Sequence, residues 1–395
     1  MECQVNQTDN SRAVHAHRDN QLGLSAVIDV FGERDLFETI DNERVLELSR
    51  LGNRNGFSST RAIRKSTGID VRRLLQPALT AVDLGIRLID RLQDVRQSSL
   101  DEFDHILLCH SFINDDECQS VARQLEAHFG LPHRRIQAYN HGCAGYLKLL
   151  QEGAELLEGG HSGDRVALLS VETPEFWHDA ADRLFCGIVS AGATASVLEI
   201  GHGLPIHFLQ ADDFRIPESR RPNPDPLFSK DSQSVHDFRG QTCQRTVMRM
   251  NPEPVFLNGI ELMLDNLRAA LLSMDYQPGQ RVIVAPHQPS AKLLKALTAA
   301  ARTEFPELEF LNNLPLYGNT ISSTVPTLVS RLDDVLASNG LSPVKAGDQI
   351  ILLAAGICMR EISNHMSAGH ACLTWKPHTL NCVRPEAAPV AVPVR

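Results

Sequence analysis

Short apolar runs alternate with stretches of helical periodicity along most of this sequence. Five runs have the length and composition of buried strands, namely 105–112, 165–172, 194–200, 281–286 and 349–356. Helical periods separate them, most clearly at 143–158, 258–273, 290–303 and 324–338. This alternation predicts an α/β fold whose sheets are covered on both faces. The order helix, strand, strand recurs in 143–200 and in 258–356, which suggests two related halves.

The remaining segments lack a sustained apolar period and divide the chain into parts. We predict a poorly ordered N-terminus at 1–23 and a similar tail at 377–395. Segment 210–254 is rich in Pro, Asp, Arg and Ser, and we interpret it as a long surface loop. Loops of that length are either functional lids or disordered. The first half would then cover 24–209 and the second half 255–376.

Composition and charge exclude several classes of protein. The chain has 395 residues, of which 43% are hydrophobic, and this is enough for a large core. Its net charge of -10 argues against nonspecific nucleic-acid binding, which relies on a basic surface. The longest apolar run, 350–359, is too short to span a bilayer, so we expect no membrane segment. The polar N-terminus lacks the apolar core of a secretory signal, so we expect a cytoplasmic protein.

Cys143 is the most informative of the nine cysteines, no two of which have the C-x-x-C spacing of zinc or redox sites. We therefore expect no bound metal. Cys143 lies between Gly142 and Gly145, where an irregular segment becomes a helical period. The N–H groups and dipole of a helix start lower the pKa of a thiol and can hold an oxyanion. Cys143 is thus either a nucleophile or a small residue filling a gap between helix and sheet.

His287 and Asn319 lie where α/β folds place chemistry. His287 follows the strand at 281–286, and Asn319 lies in a glycine-containing turn before a helix. A core histidine with satisfied hydrogen bonds and a turn-forming asparagine are the alternative interpretations. His141, two residues before Cys143, is a competing base, and we interpret it as a residue that shapes the pocket.

Together these positions resemble the β-ketoacyl synthase III family of the thiolase superfamily. "GCAGYLKLL" at 142–150 is similar to the family's nucleophile helix, "VAPHQPSAKLL" at 284–294 to its P-H-Q-A-N segment, and "YGNTISSTVPTLV" at 317–329 to its G-N-T-S-x-x-S-x-P segment. "KSTGID" at 65–70 and "DRLFCGIVSAGATASVLE" at 182–199 extend the resemblance, which covers 58–375. It implies a five-layered α-β-α-β-α thiolase fold with two pseudo-duplicated halves, and a homodimer.

The resemblance also implies a decarboxylative Claisen condensation. Cys143 would accept an acyl group, while His287 and Asn319 would bind the thioester carbonyl of a malonyl-type extender and stabilise its enolate. Backbone N–H groups of Cys143 and Gly356 would form the oxyanion hole. No cofactor is implied beyond the acyl-CoA or acyl carrier protein thioesters that serve as substrates. The alternative is an acyltransferase that passes the acyl group from Cys143 to an O, N or other C nucleophile without decarboxylation.

Substrate recognition departs from the family pattern. Ala62 stands where the family has an aromatic residue that stacks on coenzyme A, and Ser66 replaces an arginine, which puts coenzyme A recognition in question. Basic residues near the phosphopantetheine entrance would form a positive rim that suits an acidic acyl carrier protein, with solvated surface charge as the alternative. The residues of this rim are Lys292, Lys295, Arg64, Lys65, Arg61, Arg72 and Arg73. The altered "SAGA" at 190–193, the changed stretch at 354–375 and the long segment 210–254 together indicate a specialised relative in secondary metabolism.

Overall fold

The computed structural model describes residues 21–52, 56–377 and 379–380. Our expectations for 1–20 and 381–395 lie outside these residues, and the first strand already begins at Leu22, inside the expected N-terminal segment 1–23. The strands are β1 (Leu22–Asp29), β2 (Phe37–Asp41), β3 (Val71–Leu75), β4 (His105–Cys109), β5 (Ile136–Tyr139), β6 (Arg165–Glu172), β7 (Gly192–Ile200), β8 (Leu204–Arg215), β9 (Phe228–His236), β10 (Thr242–Met250), β11 (Val282–Pro286), β12 (Glu309–Phe310), β13 (Gln349–Ile357) and β14 (His365–Thr374).

Helices connect these strands and cover the sheet. They are α1 (Asn42–Leu48), α2 (Thr60–Thr67), α3 (Ala81–Arg96), α4 (Asp115–Phe129), α5 (Gly145–Leu156), α6 (Pro252–Ser273), α7 (Ala291–Glu304), α8 (Leu314–Tyr317), α9 (Thr324–Ser330) and α10 (Leu332–Ser338). Within the described ranges, no helix combines the length and the apolar character needed to cross a membrane.

Ten strands of the described chain form one sheet, in the order β12-β11-β13-β14-β8-β1-β7-β6-β4-β5. Its two halves meet where β1 pairs with β8 through Gly23↔Pro205 and Leu24↔Leu204. One half contains β1, β4, β5, β6 and β7, and the other contains β8, β11, β12, β13 and β14. When the strands of each half are counted in chain order, both halves read third, second, fourth, fifth, first from the outer edge of the sheet to its middle. In both halves the third, second and fourth strands pair in parallel, and the other pairings are antiparallel. This repetition confirms the two related halves predicted from the sequence.

The helices form three layers around the two halves of the sheet. α5 and α9 lie between the halves, where Leu147 and Leu328 share one buried cluster with Leu168 of β6 and Leu352 of β13. The next residue of β6, Leu169, belongs to the outer cluster beneath α3 and α4. α6 and α7 cover the outer face of the other half. The arrangement is the expected five-layered α-β-α-β-α thiolase fold, and it explains the uninterrupted apolar runs of the central strands.

Segment 210–254 differs from the long loop that its composition suggested. It contains the end of β8 and a hairpin in which β9 and β10 pair along the full length of both strands. Most residues of the hairpin are polar, and buried ones such as Val235 and Val247 are few. One face of the hairpin is therefore exposed to solvent. The N–H of Met248 donates to the carbonyl oxygen of Trp177 at 3.1 Å and fixes the hairpin over 174–186. The sequence concealed this ribbon because one face is solvated and the other carries few apolar residues.

The helix expected at 324–338 is divided at Arg331 into α9 and α10. The Arg331 side chain is buried, and its Nε donates to Asp29 Oδ2 of β1 at 2.7 Å. Ser330 Oγ donates to the same oxygen at 2.6 Å. A buried charge needs such a partner, and this ion pair ties the middle helical layer to the first strand at the point where the helix is interrupted.

Candidate active site

Cys143 lies in a turn that two glycines make possible. Residues Gly142–Ala144 form one 3-10 turn, and α5 begins at the next residue. Gly142 has φ +72°, and a Cβ on it would lie 2.5 Å from the carbonyl oxygen of Ile357. A Cβ on Gly356 would lie 2.4 Å from Cys143 Cβ and 2.7 Å from its Sγ. Glycine at both positions therefore allows the end of β13 to lie directly against the thiol.

The Cys143 thiol is less acidic than its place at a helix start suggested. Burial raises its pKa to about 12, and a hydrogen bond from the backbone of Ile357 opposes this shift without cancelling it. The nearby carboxyl of Glu172 raises the pKa further. Loss of hydration therefore outweighs the favourable helix dipole at this position. Cys143 is a thiol at neutral pH, so attack by its sulfur requires a proton acceptor.

His287 directly follows β11, and its N–H donates to the carbonyl oxygen of Leu353 on β13 at 2.7 Å. The residue is 1% exposed, and neither ring nitrogen has a hydrogen-bond partner among the described residues. Burial lowers the pKa of His287 to about 3, so the imidazole is neutral at physiological pH. A neutral, buried ring without a protein partner is suited to donate a hydrogen bond to a bound molecule.

Asn319 is held at both its backbone and its side chain. Its N–H donates to the carbonyl oxygen of Ile188 at 3.0 Å, and its own carbonyl oxygen accepts from Ser190 N–H at 2.9 Å. The side-chain Oδ1 accepts from the N–H of Ile321 at 3.0 Å. Because the oxygen is engaged, the Nδ2 group is the part of this 7% exposed side chain that can donate to a substrate.

The elements that carry these three residues meet around the start of α5. β11 and β13 are parallel neighbours, so that His287 and Gly356 both lie toward the carboxyl edge of this half. The turn that carries Asn319 also approaches α5, because a Cβ on Gly145 would lie 3.0 Å from the Cβ of Ser322, three residues after Asn319. The strand end and the turn thus approach the nucleophile helix, although both lie more than a hundred residues after Cys143 in the sequence.

Glu172 is a buried acid at this junction that the sequence interpretation missed. It ends β6, and its carboxylate accepts from Ser111 Oγ at 2.8 Å, from Ser111 N–H at 3.2 Å, and from Ser322 Oγ. Burial raises the pKa of Glu172 to about 8, while these hydrogen bonds act in the opposite direction. The available signal was a carboxylate at the end of a strand that is otherwise apolar. Glu172 links β6 to the turn that carries Asn319.

Four expected residues of the basic rim come from two helices in contact. A Cβ on Gly68, which follows α2, would lie 2.6 Å from Ala291 Cβ at the first residue of α7. The exposed Arg64 and Lys65 end α2, and the exposed Lys292 and Lys295 begin α7. The four therefore share one surface. Arg64 is engaged there by Asp70, with Nε at 3.0 Å from Oδ1.

Arg72 and Arg73 do not belong to this rim, because both are buried. Arg72 donates through Nη2 to the carbonyl oxygen of Gly187 at 2.6 Å, and burial lowers its pKa to about 10. The Arg73 guanidinium lies 4.9 Å from the ring centroid of Tyr317 and donates to the carbonyl oxygen of Leu316 at 2.6 Å. The rim interpretation was wrong for these two residues, because their partners come from distant parts of the chain.

Within the described residues, no group of three or more His, Cys, Asp and Glu side chains is placed to hold a metal ion. The cysteines in the same ranges are all free, namely Cys109, Cys118, Cys143, Cys186, Cys243, Cys358 and Cys372.

No protein-family profile matches the chain, but it has sequence relatives among proteins named β-ketoacyl-[acyl-carrier-protein] synthase III. β-Ketoacyl-[acyl-carrier-protein] synthase III of Paracoccus denitrificans is 26% identical over 314 residues, which cover 80% of this chain and 92% of that protein. The protein of the same name from a Synechococcus strain is 27% identical over 288 residues, or 70% of this chain and 83% of that protein.

Solved structures agree on the fold. The crystal structure of 3-oxoacyl-(acyl carrier protein) synthase III from Pseudomonas aeruginosa has a TM-score of 0.66 at 20% identity, and covers 93% of this chain and 100% of that chain. The priming β-ketosynthase of a polyketide biosynthetic pathway has a TM-score of 0.66 at 18% identity, with 91% and 98% covered. This chain therefore has the fold of the synthase III structures, and along most of its length its sequence is similar to proteins named β-ketoacyl-[acyl-carrier-protein] synthase III.

Proposed function

We propose that the chain is a β-ketoacyl synthase III-like condensing enzyme with Cys143 as its acyl acceptor. The observation that carries the proposal is a glycine-crowded thiol at the meeting point of elements that present two neutral, buried side chains, His287 and Asn319. Among the residues that the structure describes, neither ring nitrogen of His287 has a hydrogen-bond partner, and only the oxygen of the Asn319 amide is engaged. Neutral donors of this kind stabilise negative charge that develops on a substrate oxygen.

In the first half-reaction, the Cys143 sulfur attacks the carbonyl carbon of an acyl thioester. A C–S bond forms to Cys143, the C–S bond to the donor breaks, and the thiol proton passes to the departing thiolate. The backbone N–H groups of Cys143 and Gly356 would hold the oxygen of the tetrahedral intermediate. With a pKa of about 12, Cys143 enters the acyl transfer as a thiol, and the departing thiolate serves as the acceptor of its proton.

In the second half-reaction, a malonyl-type thioester binds with its thioester oxygen facing Asn319 Nδ2 and a ring nitrogen of His287. The carboxylate leaves as carbon dioxide, and the electron pair of the broken C–C bond enters an enolate that these donors stabilise. The enolate carbon attacks the acyl carbon on Cys143, so that a C–C bond forms and the C–S bond breaks. The released Cys143 thiolate takes a proton from solvent. The burial of His287 favours this step, because water would otherwise protonate the carbanion.

The thioester would arrive on an acyl carrier protein or on coenzyme A. The shared surface of Arg64, Lys65, Lys292 and Lys295 supports a carrier protein, because the clustered positive charge attracts an acidic partner. We further propose that the chain acts as a cytoplasmic homodimer in secondary metabolism. The support for these points is its resemblance to the synthase III family.

Intact-protein mass spectrometry tests the proposal. The chain is incubated with a panel of acyl thioesters, and then with a malonyl thioester, beside the Cys143→Ala variant. The expected result is a Cys143-dependent acyl adduct that disappears in the chase with release of a β-ketoacyl product. An adduct that survives the chase and discharges onto an amine or alcohol would instead identify the acyltransferase alternative. Absence of an adduct from every donor would overturn the role of Cys143.

A further inference from the structure

Asp213 collects hydrogen bonds from three separate elements. The Lys148 ammonium lies 2.8 Å from Oδ1, and Ser367 Oγ donates to the same oxygen at 2.6 Å. Arg360 Nη2 donates to the other oxygen, Oδ2. Lys148 belongs to α5, Asp213 to β8 and Ser367 to β14, while Arg360 follows β13. A single carboxylate therefore joins the nucleophile helix to the last strands of the second half.

The register of the sheet places this carboxylate in line with the glycine beside the nucleophile. Asp213 is the antiparallel partner of Ser367, and Ser367 is the antiparallel partner of Gly356. Gly356 in turn lies against Cys143, five residues before Lys148 on the same segment. The contacts thus close a ring that runs through Cys143, Lys148, Asp213, Ser367 and Gly356.

The charges in this ring are poorly hydrated. Lys148 is 8% exposed, and the side chain of Asp213 is 20% exposed, whereas that of Arg360 is 56% exposed. Burial alone would raise the pKa of Asp213, but Lys148, Ser367 and Arg360 hold it below its ordinary value. Apolar side chains could fill this site without the free-energy cost of removing water from charged groups. The presence of an ion pair therefore indicates that the site requires a fixed geometry.

We propose that Asp213 is a positioning residue, which locks α5 to β13 and β14 so that the backbone of Gly356 and Ile357 stays against the Cys143 sulfur. The inference rests on the proposed role of Cys143 as acyl acceptor. It assigns a function to a residue of the segment that looked like a loop in the sequence. Without the lock, the end of β13 can move relative to the thiol, and the hydrogen bond from the Ile357 backbone weakens.

The test compares Asp213→Asn with Asp348→Asn as a matched control. Asp348 is also a poorly exposed carboxylate bound to an arginine, with Arg281 Nη1 at 2.8 Å from Oδ2, but it precedes β13 at the end remote from Gly356. A double variant, Lys148→Met with Asp213→Leu, removes both buried charges together. Three quantities are measured in the full chain: the rate of Cys143 alkylation by iodoacetamide, kcat and KM for a small acyl thioester, and the thermal unfolding midpoint.

We expect Asp213→Asn to slow alkylation and to lower kcat by about tenfold to a hundredfold, with KM changed less than about twofold. Asp348→Asn should leave alkylation and kcat unchanged. The double variant should recover the unfolding midpoint of the wild type but not its kcat. Wild-type alkylation and kcat in Asp213→Asn, or recovery of kcat in the double variant, would overturn the inference. If the wild-type chain forms no acyl adduct, the proposed function fails, while the alkylation rates still decide whether Asp213 positions the thiol.

Discussion

Gly356 lies so close to Cys143 that a Cβ on the glycine would come within 2.7 Å of the sulfur and 2.4 Å of its Cβ. Real Cβ atoms do not approach so closely, and the obstructing atoms belong to a residue fixed by a tight turn. The contact therefore defines where a tetrahedral intermediate can form, because it sets the distance between the thiol and the last residues of β13.

Gly356→Ala should slow the acylation of Cys143 without unfolding the chain. The added methyl displaces Cys143 or the end of β13, and a shift of about 1 Å at a reacting group lowers the rate by about a hundredfold. Overpacking should also lower stability by about 1–3 kcal/mol. The measurements are the single-turnover rate of acyl transfer to Cys143 and the denaturation midpoint.

Gly259→Ala is the matched control for that substitution. Gly259 lies within α6, and a Cβ there would make only ordinary contacts, 3.7 Å from Leu293 Cδ1 and from Met366 Cε. Acylation should be normal in this variant. A normal rate in Gly356→Ala would contradict the account of the oxyanion hole.

Removal of the Asn319 amide should separate the two half-reactions. Asn319→Asp keeps the Oδ1 acceptor for Ile321 N–H but lacks the Nδ2 donor, whereas Asn319→Ala lacks both. Acylation of Cys143 should persist in both variants, while release of carbon dioxide from a malonyl thioester falls by about a hundredfold to a thousandfold. Equal loss of both half-reactions would show that Asn319 serves the structure of the turn.

The contribution of Glu172 to the free energy of unfolding should decline as the pH rises from about 4.5 to 8. Burial raises the pKa of this acid from an ordinary 4.5 to about 8 in the folded chain. In that window the native state binds a proton that the unfolded state releases, so a rise in pH favours unfolding. Glu172→Gln should flatten this dependence, as measured by urea denaturation at pH 5 and pH 8. Glu117→Gln, on the exposed first turn of α4, should keep the wild-type slope.

Charge reversal on the basic rim should selectively weaken the binding of a carrier protein. Lys292→Glu combined with Lys295→Glu is expected to raise KM for an acyl carrier protein thioester by about tenfold at low salt, and by less at high salt. Turnover of a small acyl thioester should not change. The control is Lys345→Glu, another exposed lysine. Equal effects on both substrates would exclude docking at this surface.

The sequence predicted those core strands directly in which the side chains on both faces are buried. β6 has the bounds that its apolar run predicted, 165–172, because neighbouring residues such as Leu168 and Leu169 enter clusters on opposite sides of the sheet. The β9–β10 hairpin escaped detection because its outer face is solvated and its apolar positions are few. Cys143, His287 and Asn319 lie on elements that approach the start of α5, and their catalytic roles stay a prediction from the resemblance of their motifs.

Contacts between distant residues could not be predicted in this way. Arg72 looked like a surface charge, but the carbonyl oxygen that binds it belongs to Gly187, 115 positions away. Glu172 and Asp213 had no motif of their own, because each acts through side chains from other strands. The acidity of Cys143 was also misjudged from the helix start alone, since the extent of its burial depends on β13.

The most direct test of the central claim is a single-turnover reaction of acyl-Cys143 with a malonyl thioester labelled in its free carboxyl group. Labelled carbon dioxide and loss of the acyl adduct are followed together in time. Decarboxylative condensation predicts equal amounts of both, with a β-ketoacyl thioester as product, and neither in Cys143→Ala. Loss of the adduct without labelled carbon dioxide would contradict decarboxylative condensation.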